Sequence, residues 1–190
     1  MITLNPDEFR DRQHLLIEEI RKGAVFIHPT DTIYGIGANA QDKYAVQKVR
    51  DIKQRPEQPF SVMAPSIDWI RENCRIPKEA EEWLQKLPGP YTFVFKLKNK
   101  KAIAPETNNG VDTIGVRIPD HWFAKVVAEA GVPFVTTSAN ISGMDFMTSM
   151  ETLHDDLNKK SDFIVYEGEK DGHPSTIVNF AEKEPIVVER

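Results

Sequence analysis

Residues 28–37 read His-Pro-Thr-Asp-Thr-Ile-Tyr-Gly-Ile-Gly and follow the short apolar run 24–27. Four apolar residues are too few for a helix and are typical of a buried strand. The proline and the glycines of the stretch then let the chain turn sharply and pack closely. Loops at the carboxyl ends of strands hold ligands in many open α/β sheets. The hydroxyls of Thr30, Thr32 and Tyr34 are therefore candidate ligand contacts, although the same residue types also stabilise turns that bind nothing.

The composition limits the classes of protein to which this chain can belong. Its 190 residues include 24 basic and 29 acidic side chains, which give a net charge of -5. A chain of this length fits one α/β domain, and we expect that domain to cover residues 1–190. The negative charge argues against a broad electrostatic grip on nucleic acid, but it leaves room for a local basic cleft.

Cysteine usage and hydropathy indicate a compartment. Cys74 is the single cysteine, so no internal disulfide is expected, and the five histidines lack the spacing of a metal site. No apolar run approaches the ~20 residues that a membrane-spanning helix needs. The first residues also lack the basic and apolar regions of a signal peptide. These features favour a cytoplasmic protein with no bound metal and no contact with a membrane.

Periodicity and capping residues predict alternating strands and helices. Asn5, Pro6 and Glu8 have the pattern of a capping box and open a helix that runs to Gly23. The other predicted helices are 42–53, 66–70, 77–87, a helix capped by Asp120 and ended by Gly131, and the helix-like segment 149–157. The predicted strands are 24–28, 60–64, 91–95, 113–118, 133–137, 163–166, 175–180 and 185–189. This alternation predicts a single-domain α/β fold with a twisted, mixed parallel and antiparallel sheet and flanking helices.

Two further motifs carry charged and polar groups. Ile52-Lys53-Gln54-Arg55-Pro56 ends the second helix, and Thr136-Thr137-Ser138-Ala139-Asn140-Ile141-Ser142-Gly143 leaves a buried strand. Basic residues near a helix C-terminus also complement the helix dipole without binding any ligand. The chain has no P-loop, no dinucleotide fingerprint, no nucleophile elbow and no catalytic triad. Its cations and hydroxyls suit the recognition of polyphosphate and carboxylate groups.

Together, the Pro-Thr-Asp-Thr-Ile-Tyr-Gly turn, the Lys-Gln-Arg-Pro element at 53–56 and the Ser-Ala-Asn element at 138–140 resemble the YrdC/Sua5 family of threonylcarbamoyl-adenylate synthases. The resemblance covers nearly the whole chain. It implies the YrdC-like fold and a nucleotidyltransferase that converts L-threonine, bicarbonate or CO2, and ATP into L-threonylcarbamoyladenylate and pyrophosphate. ATP would be a substrate, and its chemistry implies Mg2+. The product would pass to the transferase machinery that forms N6-threonylcarbamoyladenosine (t6A) in tRNA, and contact with tRNA itself is also implied.

The resemblance implies roles for individual residues. Lys53 and Arg55 would be catalytic, because fixed positive charge offsets the repulsion between an anionic carbamate and the α-phosphate of ATP. The implied threonine-binding residues are Thr32, Met63, Arg117, Thr137 and Ser175. The implied ATP-binding residues are Lys53, Arg55, Gln58, Thr113, Ser138, Ala139, Asn140 and Arg190.

Several of these residues also have ordinary structural explanations. Arg117 could form an ion pair on its strand instead of binding an amino-acid carboxylate, and Ser138 and Asn140 could cap or stabilise a turn. We expect Lys53 and Arg55 to lie near a solvent-facing cleft. Replacing either by alanine would then abolish synthesis and leave the fold intact.

Two departures from the family pattern affect the expected threonine site. The segment 56–60 is shorter than usual, and Met63 stands where family members often carry a histidine that helps to bind threonine. The affinity and selectivity for threonine are therefore in question. Longer Sua5-type members continue into a further domain, and the end of this sequence at Arg190 suggests the short, single-domain form.

Other functions remain open from the sequence. The chain could be an RNA-binding module. Lys96, Lys98, Lys100 and Lys101 form a cluster that could touch tRNA or polyphosphate, but a solvated strand end is the better explanation of the cluster. It could also be a YciO-like paralogue without synthase activity, although that branch lacks the paired Lys-x-Arg and Ser-x-Asn elements. A carbamoyl-transfer domain of the hydrogenase-maturation type would bring zinc-finger-like cysteines, which this sequence lacks.

Overall fold

The computed structural model describes residues 1–182 and 184–189, and within this range short strands alternate with helices. The strands are β1 (Ile2–Leu4), β2 (Phe26–His28), β3 (Gly35–Gly37), β4 (Ser61–Met63), β5 (Cys74–Arg75), β6 (Tyr91–Leu97), β7 (Thr113–Arg117), β8 (Phe134–Ser138), β9 (Phe163–Val165), β10 (Thr176–Asn179) and β11 (Ile186–Val188). The helices are α1 (Pro6–Asp11), α2 (Gln13–Arg21), α3 (Lys43–Lys53), α4 (Ile67–Asn73), α5 (Glu81–Leu84), α6 (Pro105–Asn108), α7 (Trp122–Ala130) and α8 (Asp155–Lys160). None of the helices in the described ranges is long and apolar enough to cross a lipid bilayer.

The first predicted helix is present, but it is divided in two. The capping box forms as expected, because the Asn5 side chain accepts from the N–H groups of Asp7 and Glu8 while the Glu8 carboxylate accepts from the Asn5 N–H. The backbone leaves helical geometry at Arg12, where φ is -114° and ψ is 11°. Helix α2 therefore starts anew after Arg12.

Helix α3 has the predicted bounds and fixes the direction of the basic motif. Asp42 caps its start by accepting from the N–H groups of Tyr44 and Ala45. Its last residue is Lys53, and Gln54 then takes the left-handed conformation with φ 52° and ψ 44°. This reversal separates the directions of Lys53 and Arg55, although only one residue lies between them.

Two helix predictions near the middle of the chain need correction. Segment 77–87 contains a 3-10 turn at Lys78–Ala80 followed by the single turn of α5, rather than one continuous helix. The N-cap of α7 is His121 and not Asp120, because the His121 ring nitrogen accepts from the Phe123 N–H.

The predicted helix over 149–157 is also wrong, since only α8 is helical there. The Thr152 hydroxyl accepts from the N–H groups of Thr148 and Ser149, so a side chain satisfies donors that a helix would leave for its own turns. His154 caps the helix that follows. Strands β1, β3 and β5 were not predicted, because they lie outside the apolar runs that identified equally short strands such as β2 and β4.

The strands form one mixed sheet, which confirms the predicted fold class. The strand order is β1-β9-β2-β3-β8-β4-β7-β6-β10-β11, with β5 paired to β6. The pairs β1–β9, β2–β9, β4–β7 and β6–β10 are parallel. The pairs β2–β3, β3–β8, β4–β8 and β6–β7 are antiparallel.

Apolar side chains fill both faces of this sheet, but they do so unequally. On one face Phe93, Phe95 and other strand residues pack in a large cluster that includes residues of α3. On the other face α1, α2 and α7 pack over Phe26 and Phe134. Thr92 and Val94 alternate with Phe93 and Phe95 along β6 and line a cavity instead. The cavity therefore occupies the part of the second face that these three helices do not cover.

Candidate active site

A cavity of about 360 Å3 opens on this uncovered part of the sheet. Its walls come from β4, β6, β7, β8 and β10, from the turn that includes Thr32, and from the loop after Arg55. Of the residues predicted from the sequence, the cavity brings together Thr32, Arg55, Thr113, Arg117, Thr137, Ser138 and Ser175. Residues from five separate segments thus meet at one place, as the predicted binding site requires, while their binding roles stay predictions.

In the turn after β2, hydroxyl groups both stabilise the turn and line the cavity, which are the two alternatives that the sequence left open. The Thr30 hydroxyl donates to the Ile33 carbonyl at 2.7 Å and accepts from the Thr32 N–H at 3.1 Å, so it stabilises the turn. The Thr32 hydroxyl lies 3.0 Å from that of Thr30, and both residues line the cavity. A stable turn therefore presents a hydroxyl to any ligand in the cavity.

Arg117 lies at this end of the cavity and is paired with an acidic residue of the turn. Its Nη2 donates to Asp31 Oδ1 at 2.7 Å and lies 3.5 Å from the Thr32 hydroxyl. The other Asp31 oxygen accepts from the Asp120 N–H at 3.0 Å. The two charged side chains are 9% and 10% exposed. The ion pair that the sequence left as an alternative is thus present, and it holds the guanidinium in the cavity wall.

Arg55 lies at another wall of the same cavity. Its guanidinium donates to the Thr137 hydroxyl at 3.4 Å and to the Pro59 carbonyl at 3.1 Å. Its central carbon lies 5.4 Å from the centre of the Phe60 ring, within cation–π range. These contacts place a permanent positive charge at the cavity surface.

A buried arginine that the sequence reasoning missed fixes the loop that carries Arg55. Arg50 is 3% exposed, and its guanidinium donates to the carbonyls of Arg55 at 2.9 Å and Gln58 at 3.0 Å. It also donates to the Glu106 carbonyl at 2.8 and 2.6 Å. Burial and the neighbouring Arg55 lower the pKa of Arg50. The sequence could have indicated this role of Arg50, because Arg50 lies one turn before Lys53 on the inward-facing side of α3.

Lys53 lies beneath the cavity lining and does not face solvent, which corrects the expectation of a side chain at a solvent-facing cleft. Its side chain is buried, with 1% exposure, and Nζ donates to the Ser138 carbonyl at 2.5 Å. Nζ also donates to the carbonyl and the side-chain oxygen of Asn140 at 2.9 and 3.0 Å. Burial and the nearby Arg55 lower the pKa of Lys53 to about 7. The ammonium therefore contacts the loop from beneath and supports Ser138, which lines the cavity.

Met63 is absent from the cavity, which corrects its predicted place in the threonine site. Its side chain is fully buried in the cluster under α7. Ser61 and Met63 point to the same face of the sheet, because side chains alternate along a strand. Ser61 falls on the uncovered part and lines the cavity, whereas Met63 falls where the helices cover the sheet. Met63, which was predicted to belong to the threonine site, is therefore a core side chain.

Three further predicted residues, Gln58, Ala139 and Asn140, are not part of the cavity lining. Gln58 is exposed in the loop after Arg55. Ala139 is buried and donates its N–H to the Tyr34 carbonyl at 3.0 Å. The Asn140 side chain accepts from the Ser138 hydroxyl at 2.6 Å and from Lys53. Arg190 lies outside the described residues.

Three hydroxyl residues in the lining were not predicted. They are Ser61, Thr92 and Thr136. Each is a hydroxyl residue among apolar neighbours in its strand, and Thr136 directly precedes the predicted Thr137 and Ser138. The Thr92 hydroxyl is hydrogen bonded to that of Ser175 at 2.8 Å.

The donor set of the cavity suits an anionic ligand better than a metal held by the protein. Its described lining includes Arg55, Arg117 and several hydroxyls, and it includes no carboxylate. The nearby Asp31 is already paired with Arg117. Mg2+ at ATP sites takes oxygen ligands from one or two carboxylates as well as from phosphates. The described lining therefore does not fit a Mg2+ ion held by protein carboxylates, and no cluster of three or more His, Cys, Asp or Glu residues occurs in the described ranges.

The mixed sheet with its flanking helices, together with a cavity lined by arginines and hydroxyls, defines an α/β protein whose cavity chemistry suits an anionic ligand. A family model for the Sua5/YciO/YrdC domain, described as "Telomere recombination", matches residues 18–190. The chain belongs to the Sua5/YciO/YrdC family.

Similar proteins include members named as synthases and members without an assigned activity. The chain is 35% identical over 188 residues to a putative threonylcarbamoyl-AMP synthase of Methanocaldococcus jannaschii, covering 97% of this chain and 88% of that protein. It is 34% identical over 174 residues to the threonylcarbamoyl-AMP synthase of Pyrococcus abyssi, covering 89% of this chain but only 51% of that protein. It is 30% identical over 190 residues to the uncharacterized protein YciO of Escherichia coli K12, covering 97% and 92%.

Solved structures agree with this assignment of the fold. Pyrococcus abyssi Sua5 in complex with L-threonine superposes with a TM-score of 0.88 and 30% identity, covering 99% of this chain and 56% of that one. Escherichia coli YciO superposes with a TM-score of 0.85 and 26% identity, covering 100% and 94%. The chain thus spans little more than half of the Sua5 chain and nearly all of YciO.

Proposed function

We propose that this chain synthesises L-threonylcarbamoyladenylate from L-threonine, bicarbonate or CO2, and ATP, with release of pyrophosphate. Family membership, the names of its relatives and the threonine complex of the Sua5 neighbour support the proposal. The observation that carries it is a single cavity whose lining combines Arg117 and Thr32 with Arg55, Thr137 and Ser138. Such a cavity can hold a carboxylate and a phosphate together.

In this proposal Arg117 binds the carboxylate of threonine. A guanidinium matches a carboxylate in a bidentate geometry, and the pair with Asp31 at 2.7 Å fixes the direction of the fork. The hydroxyls of Thr32, Thr137 and Ser175 are available for the polar groups of the amino acid. The amino nitrogen would react with CO2 to give an N-carboxylate, losing one proton.

The carbamate oxygen would then attack the α-phosphorus of ATP, and the bond between that phosphorus and the bridging oxygen of pyrophosphate would break. Both reactants are anionic, so the transition state gathers negative charge. Arg55 places fixed positive charge beside Thr137 and Ser138. Removing one positioned donor of this kind typically costs ~3 kcal/mol in the barrier, or on the order of 100-fold in rate. Lys53 acts one layer further out, by positioning the Ser138–Asn140 loop.

The wider role follows from the same proposal. The product would serve the transferase machinery that forms t6A in tRNA, and the protein would act in the cytoplasm as one domain over residues 1–190. ATP is a substrate in this scheme. Gln58, Ala139, Asn140, Thr113 and Arg190 remain predicted ATP-binding residues, and Asn140 would contribute by shaping the loop.

The experiment is pyrophosphate release from ATP in bicarbonate buffer, with L-threonine present or absent. L-Serine serves as the substrate control, and Arg55→Ala serves as the blank. We expect release that depends on threonine and falls about 100-fold or more in the variant. A folded wild-type chain that releases no pyrophosphate at any threonine concentration would contradict the proposal.

A second candidate is an RNA-binding or YciO-like protein without synthase activity, and one surface feature favours it. Lys96 continues the cavity face of β6 beyond Val94, Lys98 follows the end of that strand, and Arg75 pairs with Lys96 across the β5–β6 ladder. Like charges placed opposite each other destabilise a sheet unless an anion lies between them. RNA binding that weakens steeply with salt, in a chain without threonine-dependent turnover, would support this candidate.

A further inference from the structure

The segment 167–175, which we call the strap, joins β9 to β10 and crosses the turn that bears Thr32. Its backbone contacts the turn directly, because a Cβ built on Gly172 would lie only 2.1 Å from the Thr32 carbonyl oxygen. Pro174 and Ser175 at its end line the cavity. The position of the strap therefore sets one wall of the cavity at the end that holds Thr32.

One carboxylate anchors the first residue of the strap. Glu167 accepts from Nε2 of His121 at 2.9 Å, from Nε1 of Trp122 at 2.9 Å and from Nζ of Lys170 at 2.7 Å. Its side chain is 20% exposed. Burial raises the pKa of Glu167, but the hydrogen bonds from His121, Lys170 and Trp122 outweigh burial and lower the pKa to about 2. The anchor is therefore ionised at neutral pH and links the strap to the start of α7.

Tyr34 fixes the same end of the strap through the backbone. Its hydroxyl donates to the Gly168 carbonyl at 2.6 Å and accepts from the Glu167 N–H at 3.1 Å. Burial raises the pKa of Tyr34 to about 12, so the hydroxyl keeps its proton. The Lys170 N–H donates to the Thr148 carbonyl at 3.0 Å. The strap is thus tied to the Thr32 turn, to α7 and to the loop that contains Thr148.

We propose that Glu167 is a positioning residue for the amino-acid end of the cavity, which holds the strap on the Thr32 turn so that Ser175 faces the substrate. The Ser175 hydroxyl, hydrogen bonded to Thr92, then has a fixed place near Thr32 and Arg117. The identity of the ligand as an amino acid rests on the proposed function. The attachment of the strap does not rest on it.

The test compares Glu167→Gln with the wild-type chain in steady-state kinetics. The amide keeps the shape of the side chain but removes the charge that three donors share, and hydrogen bonds to a charged group are strong. We expect the KM for threonine to rise about tenfold with the KM for ATP nearly unchanged, and the Tm to fall by less than it would after a core truncation. Glu81→Gln is the matched control, because Glu81 pairs with Arg71 at 2.6 Å on an exposed surface far from the cavity lining.

A second variant reaches the strap by a different route. Gly172→Ala adds a methyl group where the Thr32 carbonyl lies, so it should push the strap away and raise the same KM. An equal rise in the KM for threonine and the KM for ATP would overturn the positioning role. A loss of Tm as large as that of a core truncation would overturn it too. No change in either variant would overturn it as well.

Amide hydrogen exchange separates this inference from the proposed function. If Glu167 holds the strap, exchange of the amides at 168–172 is faster in Glu167→Gln than in Glu81→Gln, whether or not the chain consumes threonine. Unchanged exchange would overturn the inference even in an active synthase. An inactive wild-type chain with faster exchange in the variant would leave the anchor supported and would contradict only the proposed function.

Discussion

Lys53 and Arg55 belong to one short motif, yet the structure gives them different tasks. Lys53 ends α3 with its ammonium among buried oxygens, and the left-handed residue that follows turns Arg55 to the cavity surface. A motif gives spacing along the chain, but it does not tell which side chain meets solvent. For this reason the sequence predicted both residues and misplaced one of them.

The different tasks predict different effects of substitution. Lys53→Met should lower the free energy of unfolding by at least about 2 kcal/mol, because it leaves buried acceptors of Ser138 and Asn140 without their donor. Arg55→Ala should change stability by less than about 1 kcal/mol while reducing pyrophosphate release strongly. Urea denaturation and the release assay on both variants measure the split. Equal stability of the two variants would contradict it.

His28, the first residue of segment 28–37, is fully buried, and its burial predicts that the stability of the fold depends on pH. His28 stacks on Phe123 with ring centres 4.7 Å apart, and no hydrogen-bond partner is found for its Nε2 within the described residues. Burial lowers its pKa from 6.5 to about 3. Between these values the unfolded chain binds a proton that the folded chain does not. Stability should therefore fall as the pH drops from about 6.5 towards 3, by at most about 1.4 kcal/mol per unit.

The slope of stability against pH measures this effect. In His28→Leu the contribution is removed, so its stability should fall less steeply over the same pH range, whatever its value at pH 7. His14→Leu, which alters an exposed histidine on α2, should keep the wild-type slope. Identical slopes for His28→Leu and wild type would show that His28 is not held neutral by the fold.

Among the secondary-structure elements, prediction followed length and capping. Helix α3 has its predicted bounds because Asp42 caps an amphipathic segment, and β6, β7 and β8 were found because each is an apolar run with clear ends. The missed strands β1, β3 and β5 lie outside such runs, whereas equally short strands such as β2 and β4 lie within them. The prediction of a helix over 149–157 was wrong, because the Thr152 hydroxyl accepts from the N–H groups of Thr148 and Ser149 and the chain forms a turn there.

The geometry of strands also explains which site residues could be predicted from the sequence. Most predicted residues meet at the cavity because they lie at strand ends or alternate along strands that become neighbours in the sheet. Met63 shows the limit of this reasoning. Alternation gives the face of the sheet, but only the packing of α7 decides which part of that face is covered.

The pairing of β4 with β7 yields a prediction about the cavity floor. Ser61 lies opposite Gly115, and a Cβ on Gly115 would be 2.4 Å from the Ser61 hydroxyl oxygen. Gly115→Ala should therefore displace Ser61 into the cavity and reduce kcat/KM for threonine by about tenfold or more. The reciprocal pair Ser61→Gly with Gly115→Ala should recover most of that loss, because the total volume is kept. If the losses of kcat/KM add in the double variant, a steric contact between residues 61 and 115 is not the cause of the loss.

Over the whole molecule, a net charge of -5 coexists with a cavity whose charged lining residues are arginines. The net charge of the chain therefore does not indicate the charge of a ligand, whereas the guanidinium and hydroxyl groups of the cavity indicate an anionic one. The fold class was predictable because element alternation fixes it. The strap was not, because its contacts with the turn, α7 and the loop after β8 join parts of the chain that are distant in sequence.

In the proposed function, this cavity joins threonine, inorganic carbon and ATP in one product. Transfer of carbon from [14C]bicarbonate into an adenylate, followed by chromatography of the nucleotides, tests this proposal. We expect a labelled adenylate that forms only when threonine and ATP are both present and that is lost in Arg55→Ala. Folded wild-type chain that gives no labelled adenylate with all three substrates would contradict it.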